Sequence, residues 1–393
     1  MYGGAHLFKS DTASRLGATA LRTLEAFAPD ARTLAAAIGV PADAADRVYA
    51  RVREKLRREP VEDFRLDFED GYGNRPDAEE DGHAASAAAE VAAGAGNGTL
   101  PPFIGIRIKN LGDELRERAL RTARLFVERL LESSGGRLPD NFVITLPKIT
   151  ARGQISTLVQ ALVDLESRHG LASGSLKMEV MVETPFSIFD DRGAVALPSL
   201  IGEAGGRIVA AHFGTYDYTA SLGITAAHQH MRHQACDIAR GVMQVALAGT
   251  DVWLSDGATN VLPVGQDRAV IHAAWRLHYD DIQHSLASGF YQGWDLHPAQ
   301  LVTRYAAVYA FFLQSLDAAS ERLRNFIAKA AQATLVGEVF DDAATGQGLL
   351  NFFLRALNCG AVREEEIGGL TGLTLDELRS GSFVTIVRGR RGA

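Results

Sequence analysis

The chain has 393 residues, 47% of them hydrophobic and 22% charged, with a formal net charge of -8. That length holds one large barrel with extensions or two domains, and the acidic balance excludes a general nucleic-acid binder, which would show a basic face. Two cysteines, Cys236 and Cys359, leave no disulfide framework and point to a reducing cytoplasm, and no apolar run approaches the roughly 20 residues of a membrane helix.

The first ten residues are short and mixed and show no secretory signal pattern. His6-Leu-Phe8 is the one candidate for a first strand. Residues 1–60 otherwise read as helical: Asp11 caps a helix to Phe27, Asp30 caps a second with Leu34 and Ile38 on one face, and a third covers 42–58 with a charged, solvated face. In 61–70, Phe64, Leu66 and Phe68 alternate with Arg65, Asp67 and Glu69. That period of two marks a strand with one polar face, either a solvated edge or the lumen of a barrel. A helix over 76–93 and a Gly/Asn loop follow. Strands then fall at 102–109, 141–148, 176–183, 206–213, 251–256 and 290–298. Helices separate them at 111–133, 154–169, 187–204 (in part), 232–248 and 268–288. Beyond 299 the pattern is helical, at 301–329 and 346–357, with a capping box at Thr374 and Glu377. A disordered end is expected at 388–393.

Strands alternate with helices at least seven times, which means a parallel sheet. The expected fold is an α/β, (β/α)8 TIM barrel. Residues 1–60 form an N-terminal helical extension, 61–300 the barrel core and 301–393 a C-terminal helical lid region. Nearly every strand ends on a charged or imidazole side chain, and a barrel gathers such ends around one mouth. Val180, Met181 and Val182 lead into Glu183, and the run at 208–213 leads into a Gly-x-x-Asp turn at Asp217. Two such carboxylates are able to share a divalent cation, with water and substrate completing its shell. Taken singly, each equally fits a helix or loop cap. In the functional reading, Arg107 pairs with a substrate carboxylate, Glu69 and Asp70 hold metal-bound waters, and Lys148 acts electrostatically near the substrate or as a Schiff-base amine. His297 reads as a structural strand-end histidine. His228, His230 and His233 match no zinc spacing and read as a polar loop or interface. This machinery suits a carbon–carbon bond made or broken next to a carbonyl.

Several motifs in order carry a family resemblance. They are Phe64 to Gly73, Ile106-Arg-Ile-Lys109, Leu146-Pro-Lys148, Val182-Glu-Thr-Pro185, Phe213 to Gly223, Ser255-Asp-Gly257 and Gly289 to Gln300. Together, over about residues 60–300, they resemble the citrate lyase beta-subunit/malyl-CoA lyase group of the HpcH/HpaI aldolase superfamily. Lys109 stands where that group usually has Asn. The resemblance implies Mg2+, with Mn2+ as a substitute, held by Glu183 and Asp217. It also implies Arg107 on the substrate carboxylate and Glu69 and Asp70 behind the metal waters. Its lid aspartate, donated to a neighbouring subunit as acid/base, falls on Asp341 of Gly337-Glu-Val-Phe-Asp341, with Asp342 in reserve. A homo-oligomer, trimer or hexamer, is then expected. The partner is a small oxo or hydroxy acid or an acyl-CoA; no basic pocket for CoA phosphates stands out, which leaves CoA use open. The expected function is a Mg-dependent carbon–carbon lyase of aldolase type. The alternatives are a Claisen-condensing enzyme or thioesterase similar to malate synthase, and a non-catalytic metal-binding barrel.

Overall fold

The computed structural model describes residues 1–332 and 343–391. They form two compact units, one of residues 1–27 and 56–302, the other of residues 28–55 and 303–393. The elements in chain order are β1 (Tyr2–Gly4), α1 (Thr12–Phe27), α2 (Ala31–Ile38), α3 (Ala42–Arg58), β2 (Asp63–Asp67), α4 (Asp77–Asn97), β3 (Phe103–Arg107), α5 (Arg116–Ser134), β4 (Phe142–Leu146), α6 (Gly153–His169), β5 (Lys177–Val182), α7 (Pro185–Ile188), α8 (Leu197–Glu203), β6 (Ile208–Phe213), α9 (Thr215–Ser221), α10 (Gln234–Leu247), β7 (Trp253–Ser255), α11 (Arg268–Ala287), α12 (Gln300–Gln332), α13 (Ala343–Asn358), α14 (Glu364–Thr371), α15 (Leu375–Arg379) and α16 (Phe383–Arg391). Among the described residues no helix is long and apolar enough to cross a membrane.

The first unit is built on seven strands that pair in sequence order, each parallel to the next. This is an α/β fold with a curled parallel sheet, in the manner of a TIM barrel. Helices cover such a sheet from outside, so outward residues such as Phe64, Ile104, Ile106 and Met178 are buried. The polar alternation of β2 points into the lumen, because β2 lies between β1 and β3 and has no free edge. There Arg65 Nε and Thr145 Oγ1 donate to Glu179 Oε2 at 2.8 and 2.9 Å, and His212 Nε2 lies 3.0 Å from the same oxygen. Burial would raise the Glu179 pKa, but Arg65 and His212 outweigh it and hold the carboxyl well below its usual range. Ser255 Oγ bridges His212 Nδ1, at 2.5 Å, and Trp294 Nε1, at 2.9 Å.

Three expectations are corrected. The first strand is Tyr2–Gly4, and the His6-Leu-Phe8 candidate is mostly a single 3-10 turn, Ala5–Leu7. Glycine suits that strand because Phe64 of β2 covers it: a Cβ on Gly3 would lie 2.7 Å from Phe64 Cζ. Residues 290–298 make no regular strand. They carry one bridge, between Ala258 and Trp294, and tie both sheet edges by backbone bonds: Asp256 N to Gln292 O (2.9 Å), Trp294 N to Gly257 O (3.4 Å) and Tyr2 N to Asp295 O (3.3 Å). Residues 388–391 continue α16 where disorder was expected, because Arg390 donates to both Glu377 oxygens (2.6 and 2.7 Å) and to Gly372 O (2.7 Å).

The second unit is helical. Leu34, Val48, Val52, Leu323, Phe353 and Phe383 are buried in it. The charged face of α3 is partly tied down, Arg51 to Glu366 at 2.9 Å and Glu54 to Arg363 at 3.0 Å. Thr374 and Glu377 close the expected capping box of α15.

Candidate active site

The site grows from the turn after β2. Asp67 accepts from the backbone N–H of Glu69 (2.9 Å) and of Gly71 (2.7 Å), which folds the acidic run back over the strand end. From β3, Arg107 donates through Nε and Nη2 to Asp67 at 2.7 and 2.6 Å. Its remaining nitrogen, Nη1, lies 3.3 Å from Glu69 Oε2 and 3.7 Å from Asp70 Oδ2. The ring of Tyr2 sits under the guanidinium at 4.6 Å. Such a two-point ion pair fixes the plane of Arg107.

Beyond β4, Lys148 has φ 49°, a left-handed conformation that costs an ordinary L-residue roughly 1–2 kcal/mol. That bend turns both ends of the residue onto the carboxylates. Its backbone N–H donates to Glu183 Oε1 at 2.8 Å. Its ammonium donates to Glu69 Oε1 and Asp70 Oδ1, each at 2.8 Å, and lies 3.7 Å from Asp217 Oδ2. Glu183 follows β5 directly and is buried. The next residue, Thr184, closes a capping box with Ser187 and donates to Ile149 O, which anchors the turn. Room for the carboxylate comes from Gly214 at the end of β6: a Cβ there would lie 2.5 Å from Glu183 Oε2. Asp217, in the first turn of α9, is half-exposed.

Burial dominates the electrostatics. It pushes the Glu183 pKa up to about 8, helped by Asp217 and Glu69 and opposed by Arg107. Burial also raises Glu69, with Asp70 adding and Arg107 and Lys148 opposing, and it raises Asp217 against Lys148 and Arg107. For Lys148 burial works the other way, but Glu69 and Asp70 outweigh it, so the amine is held charged. An amine held so firmly as ammonium is a poor Schiff-base nucleophile.

Arg107, Glu69, Asp70, Lys148, Glu183 and Asp217 are thus one cluster at the carboxyl ends of β2 to β6. Asp341 and Asp342 lie outside the described residues. Lys109 turns away from the cluster and donates to Phe68 O and to Glu80 Oε2, both at 2.7 Å. Asp256 accepts from Arg240 (3.0 Å) and Ser285 (2.6 Å). His297 Nδ1 accepts from Ala299 N, and burial lowers its pKa. His233 caps α10 through Ala235 N. Cys236 is buried, which pushes its thiol up to about 12. Among the described residues no three His, Cys, Asp or Glu side chains gather as a ready metal cluster. Sequence reasoning missed the clamp of Asp67 on Arg107, although Asp67 shares the polar face of Glu69. It also missed Tyr2 and Gly214, whose roles depend on neighbours distant in sequence.

This fold and its acidic strand ends define an α/β protein of the TIM-barrel-like kind. Residues 1–386 match the family described as a domain of unknown function, DUF6986, and the chain belongs to that family. No curated protein matches the chain. Among solved structures, a citrate lyase of Burkholderia xenovorans LB400 is 20% identical with a TM-score of 0.56, covering 82% of this chain and 91% of its own. Haloferax volcanii malate synthase, in native crystals at 3 mM glyoxylate, is 15% identical with a TM-score of 0.52, covering 90% and 94%. Its magnesium/glyoxylate complex is 16% identical with a TM-score of 0.50 and the same coverage. At these identities the likeness is one of fold.

Proposed function

We propose that the chain is a Mg2+-dependent carbon–carbon lyase of aldolase type, which cleaves a hydroxy acid or its CoA thioester through an enolate. One observation carries the reading: the carboxylates of Glu69, Asp70, Glu183 and Asp217 converge on Lys148 beside the guanidinium of Arg107. The donor set suits a hard cation, since its atoms are carboxylate oxygens. Glu183, buried and driven toward its neutral form by other carboxylates, is the group a divalent cation would return to its charged form. Among the described residues the buried Glu69 Oε2 accepts no hydrogen bond, with Arg107 Nη1 at 3.3 Å, and it is an oxygen to which a metal-bound water would donate.

Glu183 and Asp217 would hold the cation. When bound, Mg2+ supplies Lewis-acid stabilisation of the charge that develops on an enolate oxygen. Arg107 presents Nη1 to the substrate carboxylate, while Asp67 keeps its other edge and so its orientation. Lys148 offsets the charge of Glu69 and Asp70 at the rim. Asp341, placed by resemblance alone, is the acid/base, which requires a neighbouring subunit and hence a homo-oligomer. The reading includes a barrel whose seven strands are closed by the backbone bonds of residues 292–295, with helical extension and lid. A condensing reaction on acyl-CoA is the second reading, favoured by the 90% of this chain that the malate synthase fold spans.

The test is proton exchange at the pyruvate methyl group in deuterated water with Mg2+, followed by NMR. Exchange abolished by EDTA and reduced at least a hundredfold in Glu183→Gln is the expected result. Exchange with acetyl-CoA but not pyruvate selects the condensing enzyme, and no exchange with either overturns the enolate reading.

A further inference from the structure

We propose that Lys148 is a built-in counter-cation that competes with the metal for its carboxylates and must yield Asp217 when the metal enters. The inference rests on the proposed metal site at Glu183 and Asp217 and adds a residue that sets its affinity. Five carboxylates, those of Asp67, Glu69, Asp70, Glu183 and Asp217, face two cations, Arg107 and Lys148. Arg107 is committed, because Asp67 holds it at two points. Lys148, through one residue's two ends, meets all of the other four, of which Arg107 Nη1 reaches only Glu69 and Asp70, at 3.3 and 3.7 Å.

Its contacts are unequal. The bonds to Glu69 and Asp70 are short, whereas Asp217 stands off at 3.7 Å. The bond to Glu183 comes from the backbone and leaves one carboxylate oxygen uncommitted to it. The two residues that would ligate the metal are therefore those on which the ammonium has the weaker grip. The ammonium is free to keep Glu69 and Asp70 while giving up Asp217, and the N–H is free to keep Glu183 aimed. Two like charges only a few ångströms apart repel strongly in a partly buried site, so a fixed ammonium weakens the binding of a divalent cation. In return it keeps the acidic cluster assembled when the metal is gone. The left-handed backbone at 148 supports this role, because a strained non-glycine conformation persists only where its surroundings hold it.

Mn2+ binding is measured by calorimetry on the full chain for wild type, Lys148→Met, Lys148→Arg and Glu183→Gln. Lys148→Met should bind Mn2+ at least tenfold more tightly than wild type, and Lys148→Arg within threefold of it. In EDTA, Lys148→Met should melt below wild type, and saturating Mn2+ should close most of that gap. Equal or weaker binding by a folded Lys148→Met, with wild-type binding lost in Glu183→Gln, overturns the counter-cation and leaves the metal site standing. No binding by either wild type or Lys148→Met overturns both. Amine labelling of the wild type, read by mass spectrometry, decides the matter independently of any variant. Mn2+ should raise modification of Lys148 at least threefold and leave Lys9 unchanged, and an unchanged Lys148 signal overturns the displacement.

Discussion

Glu183 makes the site a pH-dependent one. Its carboxyl titrates near its ordinary value when the chain is unfolded and near 8 when folded, mainly because it is buried. The folded protein then binds a proton that the unfolded chain has released, so the stabilisation present below about pH 4.5 is lost as pH rises toward 8. In EDTA, the wild type should lose up to about 1.4 kcal/mol per pH unit across that window. Melting curves from pH 5 to 8 check this, and Glu183→Gln should flatten the trend. Metal affinity should run the opposite way and rise with pH, because the cation needs the carboxylate. Gly214 adds a steric requirement: no side chain fits between it and the Glu183 oxygens.

Lys109 shows how one strand end differs from its neighbours. The residue clamps β3 to α4 through Glu80, which is fully buried and also accepts from Thr122 Oγ1 at 2.6 Å. Lys109→Asn removes one of two cations at that carboxylate and leaves Arg118 Nε 3.4 Å from Oε1, at a cost of about 1.5–3 kcal/mol for the lost charged hydrogen bond. Chemical denaturation should show this loss, and adding Glu80→Gln should recover part of it. Strand β2 was legible from its period of two and β3 to β6 because each is an apolar run bounded by turn residues, and the residues at their ends were legible because the chemistry there uses charged side chains. β1 was not, since Tyr-Gly-Gly has no strand signal of its own and is held by Phe64 above it. Residues 290–298 were read as a strand, yet it is the bridge and backbone hydrogen bonds of 292–295 that define the segment. The tail at 388–391 was read as disordered, and the partners of Arg390, Glu377 and Gly372, lie 13 and 18 residues back in the chain. What the sequence could not supply was the pairing of charges, such as Asp67 with Arg107, because pairing depends on register between strands.

At the scale of the whole chain, every strand of the sheet neighbours the strands before and after it in sequence, and residues 292–295 join the ends of the row by backbone hydrogen bonds. Trp294 holds that seam: its Nε1 donates to Ser255, its ring packs on Tyr2 at 4.5 Å, and the Arg65 guanidinium lies 5.2 Å from it. Truncation to alanine removes a buried aromatic and should destabilise the first unit by about 3–5 kcal/mol. Ordered pairing also has a kinetic side. Each new strand can join one already in place, so little of the sheet waits on distant residues, whereas Tyr2 cannot reach Asp295 until nearly all of the unit exists. Contacts that form last are absent from the rate-limiting ensemble and resist unfolding rather than promote folding. Stopped-flow fluorescence on Trp294→Ala, read from Trp253 and Trp275, should therefore show unfolding roughly a hundredfold to several thousandfold faster with refolding changed by less than about threefold. The seam would then set how long the barrel stays closed, while having little say in how quickly it forms.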